Sequence, residues 1–295
     1  MNILRLARAG ALVAAAAAPL ATAGAQRLAY PVTRTVEQAD DYNGTRVADP
    51  YRWLEDTDAS ETRAWITAQN ALTEQYLAAI PERARIRQRL TELWNFPRWN
   101  SPSRRGSRYF YFKNTGLQNQ SVLYAAPALN AEPRVLLDPN TLRADGTEAL
   151  TTTQLTDDGR LLGYGVASGG SDWQEFRVRD VETGRDLPDR LRWIKFSDMA
   201  WTKDGRGFFY ARYPEPAGNA LTAAVHDHKI YYHVLGEPQE RDVLVFQRAD
   251  QPDFLYYPRV TEDGRYLEVS VSQGSDRRNR IYVMDLGDPA HPRVQ

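Results

Sequence analysis

Along this 295-residue chain the apolar positions change period near Phe96. Before it, Ala64, Ile66, Ala68, Leu72, Tyr76, Leu77 and Ile80 follow helical spacing loosely, and Ser60 stands where a helix N-cap is expected. Pro81 interrupts. Glu82 to Leu93 predicts a second helix, with Ile86, Leu90 and Leu93 on its buried face and several arginines on its wet face. Asn95-Phe96-Pro97 ends it. The stretch upstream, Gln26 to Asp58, shows no period and is rich in aromatics, Pro and Asp. After Phe96 the pattern alternates. Strands are predicted at Tyr109–Phe112, Ser121–Tyr124, Arg134–Leu137, Leu162–Val166, Phe176–Val181, Gly207–Tyr213, Lys229–Val234, Asp242–Phe246, Tyr266–Val271 and Arg280–Asp285. No amphipathic helix of useful length follows Leu93, so the second part is mostly antiparallel β. No Gly/Ser or Pro-rich linker marks the change, so the two parts are expected to pack on each other.

The alternating part also repeats. Thr156-Asp157-Asp158-Gly159-Arg160, Thr202-Lys203-Asp204-Gly205-Arg206 and Thr261-Glu262-Asp263-Gly264-Arg265 each lead into an aromatic or aliphatic run. Arg104-Arg105-Gly106-Ser107-Arg108 is a fainter copy. The glycines are spaced 53, 46 and 59 residues apart. Asp-Gly supplies the positive φ of a hairpin turn, and a strand-turn-strand unit at this spacing is the signature of propeller blades. Four such units fit between Phe96 and Gln295. Four blades can close a ring, but the last residues contain no strand that returns to close one, so both a four-blade ring and part of a larger ring fit the pattern.

Composition narrows this picture only a little. Charged residues at 25% and hydrophobic residues at 42% are those of an ordinary folded protein. A formal net charge of −1 gives no reason to expect nucleic acid or an anionic membrane as partner. The absence of cysteine excludes disulfides, thiolate zinc sites and a cysteine nucleophile. The N-terminus is more informative. Arg5 and Arg8, the apolar run Ala11 to Ala21 and the small-x-small site Ala23-Gly24-Ala25 form a secretory signal peptide in three parts, with a core too short to span a bilayer.

The candidate chemistry is thin. Ser168-Gly169-Gly170-Ser171-Asp172-Trp173 looks like a hydrolase elbow but departs from Gly-x-Ser-x-Gly, and a predicted strand, not a helix, follows it. His226, His228 and His233 cluster in sequence. His226 and His228 have the i, i+2 spacing of a strand metal site, but two ligands are not a site, and no acidic partner is evident beyond Asp227. Turn or cap histidines are the expectation. Glu55, Asp56 and Asp58 precede the first helix, where carboxylates suit its N-terminal dipole. The Asp-Gly-Arg turns lack calcium-loop spacing, and no phosphate-binding glycine motif is present. Seven Trp and 16 Tyr fit filling between blades. The residues alone thus give an exported protein with a small helical N-terminal part and a β-propeller.

Several motifs, in order, extend that reading. Asp49-Pro50-Tyr51-Arg52-Trp53-Leu54-Glu55-Asp56, Ala68-Gln69-Asn70, Arg108 to Phe112, Asn114 to Gln120, Leu137-Asp138-Pro139-Asn140, Ser168 to Trp173, Lys195-Phe196-Ser197 with Ala200-Trp201-Thr202, and Tyr231-Tyr232-His233 together resemble the prolyl oligopeptidase family of serine peptidases. Trp53-Leu54-Glu55-Asp56 favours the prolyl branch over its basic-residue-cleaving relatives. The resemblance implies an α/β-hydrolase domain carrying Ser, Asp and His, capped by a seven-bladed propeller that admits short peptides. In that family the N-terminal segment belongs to the hydrolase domain. The implied fold is mainly β: an incomplete seven-bladed propeller of about four blades, preceded by a short helical segment of an α/β-hydrolase domain. The implied organisation is a signal peptide at 1–25, a helical segment at 26–95 and a partial propeller at 96–295, with the hydrolase core beyond Gln295.

The implied function is that of an exported, periplasmic or secreted serine endopeptidase cleaving short peptides after proline, with residues 1–295 inactive alone. Its partners would be short proline-containing peptides and its own C-terminal hydrolase domain, with no nucleic acid and no membrane after signal removal. No catalytic, cofactor-binding or metal-binding residue can be carried over, and no cofactor is implied. One departure is local: family members often carry an arginine near Ser272 that reaches toward substrate, whereas this chain has Val271-Ser272-Gln273-Gly274-Ser275. The alternative is a self-contained propeller that binds a peptide or protein without catalysis.

Overall fold

The computed structural model describes residues 28–221, 223–288 and 292–293, so the expected signal peptide lies outside the described residues. The chain divides into two compact units between Arg83 and Ala84.

The first unit holds strands β1 (Ala39–Tyr42) and β2 (Thr45–Ala48), a 3-10 turn over Arg52–Glu55, and helix α1 (Ser60–Ala78). The region expected to be irregular therefore contains an antiparallel hairpin, with Tyr42 opposite Thr45. Its signal was Asn43-Gly44, the pair that most favours a two-residue turn. Ser60 is not the N-cap. It is the first helical residue, and Ala59 caps without a side-chain bond. The Asp56 carboxylate instead shapes the turn that leads into the helix, accepting the N–H groups of Asp58 and Ala59 at 3.1 Å. This unit buries little. Thr62 is the one fully buried residue of α1, and polar stitches hold the elements: Arg34 to Glu61, Trp65 Nε1 to Thr33, Trp53 Nε1 to the Arg34 carbonyl, and Arg52 to both Asp40 and Asp49.

The second unit takes in helix α2 (Arg83–Trp94) and then strands alone, apart from short 3-10 turns. The strands are β3 (Arg98–Trp99), β4 (Ser103–Arg105), β5 (Arg108–Asn114), β6 (Val122–Ala126), β7 (Arg134–Leu137), β8 (Glu148–Leu155), β9 (Leu161–Ser168), β10 (Gln174–Asp180) and β11 (Asp186–Ile194). They continue with β12 (Ala200–Trp201), β13 (Gly207–Arg212), β14 (Lys229–Val234), β15 (Val243–Phe246), β16 (Phe254–Val260), β17 (Tyr266–Gln273) and β18 (Arg280–Asp285). They form four antiparallel meanders in chain order: β3/β4-β5-β6-β7, β8-β9-β10-β11, β12-β13-β14-β15 and β16-β17-β18. These are four blades, and no strand pairing links one sheet to another among the described residues.

The blades are joined by side chains. Phe110 and Leu123 of the first blade pack with Leu162, Tyr164 and Val166 of the second. Phe176 and Val178 of the second pack with Phe208 and Tyr210 of the third. Phe209, Ala211, Ile230 and Tyr232 of the third pack with Phe254, Tyr256, Leu267 and Val269 of the fourth. Strand alternation explains this: Phe208 and Tyr210 point to one neighbour, Phe209 and Ala211 to the other. A strand buried on both faces becomes a continuous apolar run, and Gly207 to Ala211 is such a run. Gly163 and Gly165 alternate with Leu162, Tyr164 and Val166 for a steric reason. A Cβ on Gly163 would lie 2.3 Å from Met199 Sδ and 3.2 Å from the Trp201 ring of the next blade.

Candidate functional site

The repeated turns bring the first strands of the four blades to one cleft. In three blades the turn is built alike. The threonine hydroxyl donates to the aspartate two residues on (Thr156 to Asp158 at 2.6 Å, Thr202 to Asp204 at 2.7 Å, Thr261 to Asp263 at 2.5 Å). The same carboxylate oxygen accepts the arginine N–H beyond the glycine. The glycine N–H donates to the threonine carbonyl, and the threonine N–H closes a four-residue loop on the next strand. Each glycine has φ between 66° and 75°, which glycine alone adopts at no steric cost.

Beside these turns runs a cleft of about 450 Å³ that draws on all four blades: Arg105 from the first, Gln154 and Asp157 from the second, Asp198, Trp201 and Lys203 from the third, Tyr257 and Arg259 from the fourth. Most of its charges are engaged. Lys203 pairs with Asp157 across the blade boundary, Arg259 with Glu268, and Asp198 accepts the Thr152 hydroxyl at 2.6 Å. The Trp201 indole N–H donates to the Gln154 carbonyl at 3.0 Å. The position two before the turn glycine is Arg104, Asp157, Lys203 and Glu262 in successive blades, so its sign alternates. Aligning the four turns on their glycines would have shown this from sequence. Without the alignment each is one more surface charge.

The sequence candidates scatter. Ser168–Trp173 forms the β9–β10 turn, with Gly169 and Gly170 at φ of 62° and 76°. Ser168 Oγ accepts from Arg143 Nη1 at 3.1 Å, and Ser171 Oγ accepts the Trp173 N–H at 3.1 Å. Among the described residues no histidine bonds to either serine. Glu55, Asp56 and Asp58 are engaged separately, by Arg52, by backbone amides and by Arg63. Ser272 lies in β17 opposite Leu255. Among the described residues no three His, Asp or Glu side chains are arranged to hold a metal ion.

The histidines differ most from expectation. His226 is exposed and bonds Asp253 at 2.8 Å. His228 and His233 are buried, not turn or cap residues. His233 of β14 lies between two carboxylates, Nε2 at 2.9 Å from Asp189 and Nδ1 at 2.7 Å from Asp242. These partners lie 44 and nine residues away in sequence, so the acids could not be assigned from local pattern. Burial alone would lower the His233 pKa, but the two carboxylates hold it up at about 9. The same pair of forces acts on Asp189, where burial is outweighed by His233 and the Gly236 N–H, and its carboxyl is held below the usual range. His228 has no such support. Burial pushes it down to about 4, its Nδ1 accepts the Tyr256 N–H at 3.0 Å, and Tyr213 stacks on it at 4.5 Å.

His233 also has a counterpart. In the third blade Tyr210 donates to Asp242 at 2.5 Å and His233 reaches back to Asp189 of the second. In the second blade Tyr164 donates to Asp186 at 2.8 Å, Arg179 pairs with that Asp at 2.7 Å and reaches back to the Leu136 carbonyl of the first at 2.8 Å. A tyrosine on the second strand, a cation on the third and an aspartate by the fourth thus form a repeated polar clasp.

The turns, meanders and seams are those of a propeller, and the comparison with known families agrees. Residues 30–295 match the family model described as "Prolyl oligopeptidase, N-terminal beta-propeller domain". The chain belongs to the prolyl oligopeptidase family. It is 39% identical to a prolyl endopeptidase of Elizabethkingia miricola over 93% of this chain and 39% of that protein. It is 33% identical to prolyl oligopeptidase A of Amanita bisporigera, over 88% of this chain and 38% of that one. Among solved structures, prolyl oligopeptidase B from Galerina marginata bound to a 25mer macrocyclization substrate superposes with a TM-score of 0.76 at 31% identity, covering 89% of this chain and 40% of that one. The chain thus spans about two fifths of the length of these relatives. The cleft described above belongs to a prolyl oligopeptidase propeller and lies along the first strands of its blades.

Proposed function

We propose that this propeller serves an exported serine endopeptidase that cleaves peptides after proline, and that the first strands of its blades limit which chains reach the catalytic centre. The observation that carries the reading is the match over residues 30–295 to proteins named prolyl endopeptidases and prolyl oligopeptidases. In such an enzyme a hydrolase domain supplies the chemistry: serine attacks the carbonyl, histidine moves the proton, aspartate orients the histidine and backbone N–H groups hold the oxyanion. None of those roles is assigned to a residue of this chain. The contribution of the chain is access. Charged turns at the rim and a narrow, mostly polar cleft favour a slender, unfolded peptide over a folded protein. The Galerina marginata relative is described with 25mer and 35mer substrates, so peptides of a few tens of residues are the class to try first.

Three results are expected. Purified 1–295 alone does not turn over a Gly-Pro reporter; turnover blocked by a serine-reactive phosphonate would sink the assignment. Joined to the hydrolase domain of a relative, the chain supports cleavage of a proline-containing 25mer and spares a folded protein bearing the same sequence; equal cleavage of both would remove the filter from the proposal. Residues 1–25 fused to a reporter active only outside the cytoplasm give signal; a silent fusion would remove export.

A further inference from the structure

The β1–β2 hairpin turns through Asn43-Gly44, an exposed two-residue loop with φ of 55° and 86°. Three chemical groups meet there. The Asn43 carboxamide carbon is an electrophile, and this side chain bonds to no described residue. The next backbone nitrogen, that of Gly44, is within ring-closing reach through the chain itself. Its N–H donates to Asp41 Oδ1 at 2.6 Å, so a carboxylate already holds the proton that must leave. A Cβ built on Gly44 would meet nothing within 4 Å, so the approach to the turn is open to water.

We propose that Asn43 is a self-modification site, with Asp41 as the base. As the Gly44 nitrogen closes on Asn43 Cγ, Asp41 takes its proton. The N–Cγ bond forms, the Cγ–Nδ2 bond breaks, and ammonia leaves carrying the relayed proton. The product is a five-membered cyclic imide. Water then adds to either imide carbonyl and opens the ring to aspartate or isoaspartate at position 43. One water is consumed, one ammonia is released and nothing is oxidised or reduced. Glycine is the residue this step needs, because a side chain at position 44 would crowd the closing ring.

The fold gives the change a consequence. Isoaspartate lengthens the main chain by one carbon inside a loop of two residues. The pairings Tyr42 with Thr45 and Asp41 with Arg46 then lose their register. The new carboxylate also sits beside Asp40 and Asp41, and Asp40 is the residue of β1 that Arg52 holds.

The test is a time course of the folded full chain at mildly alkaline pH, read by mass spectrometry on the tryptic peptide spanning residues 35–46. That peptide should shift from amide to acid mass and resolve into two products, one a substrate for isoaspartyl methyltransferase. Asp41→Asn should slow the shift by on the order of a hundredfold in the folded chain, and Asp41→Glu, which keeps the carboxylate, should restore much of the rate. In urea the Asp41 dependence should vanish. No shift in the folded chain over the time that converts the urea-unfolded chain would overturn the proposal. So would a folded-chain rate that Asp41→Asn leaves unchanged.

Discussion

His233 and His228 pull stability in opposite pH directions. The His233 pKa is raised from 6.5 to about 9, so its contribution is complete below pH 6.5 and is lost as pH rises toward 9. The His228 pKa is lowered from 6.5 to about 4, so its contribution is complete above pH 6.5 and is lost as pH falls toward 4. These two groups together place maximum stability near pH 6.5, with stability falling on both flanks. Urea midpoints across pH should trace this dome. His233→Gln should flatten the alkaline flank and His228→Phe the acid one; a flank that survives its own substitution belongs to other groups. At the same scale, Gly163→Ala drives a methyl into Met199 and Trp201 and should cost about 1–3 kcal/mol by denaturant titration.

The turn element separates two kinds of glycine requirement. Gly205 has φ of 66° and open space around a Cβ, so Gly205→Ala should cost only the left-handed penalty, about 1–2 kcal/mol. Gly106 has φ of 56°, and a Cβ there would lie 2.2 Å from the Asp158 carbonyl oxygen of the next blade. Gly106→Ala should therefore cost clearly more; equal melting temperatures for the two variants would show that the blade boundary gives way freely. Elements also show what a sequence conceals. The second strands, such as β9 and β13, are buried on both faces and announce themselves as apolar runs. Other strands do not. β8 contains Leu150-Thr151-Thr152-Thr153-Gln154, half exposed and lined with hydroxyls, so it offers no alternating apolar signal. β11 and β16, which contain Pro188 and Pro258, are concealed for a related reason: proline argues against a strand unless partners are known. Of these, β8 and β16 line the candidate cleft, with Gln154 and Leu155 from the one and Tyr257 to Val260 from the other, so part of the cleft carries little sequence signal. The clasp residues were hidden differently. Tyr164, Arg179 and Asp186 are ordinary in sequence and gain their meaning only from packing.

Across the whole molecule, the three seams are filled but the two end blades carry apolar side chains to solvent. On β18, Ile281 and Val283 are 67% and 62% exposed while Tyr282 and Met284 face the packed seam. In the first blade, Trp99 and Val135 are also exposed. Such faces favour self-association. Isolated 1–295 should bind a hydrophobic dye and sediment above monomer mass, and Ile281→Lys with Val283→Lys should reduce both without lowering the melting temperature. A monomeric, dye-silent wild-type chain would show that these faces are covered.

The alternating signs of Arg104, Asp157, Lys203 and Glu262 carry one more implication, which is a matter of parity. Plus and minus can alternate without fault only around a ring with an even number of members. In a ring of seven, the number the family resemblance implies, at least one pair of adjacent turns must match in sign. Electrostatic attraction can then staple every junction but that one, as Lys203 staples Asp157. The unmatched junction is the point at which such a ring would part with the least work, and raising the salt concentration would tighten it while loosening the others.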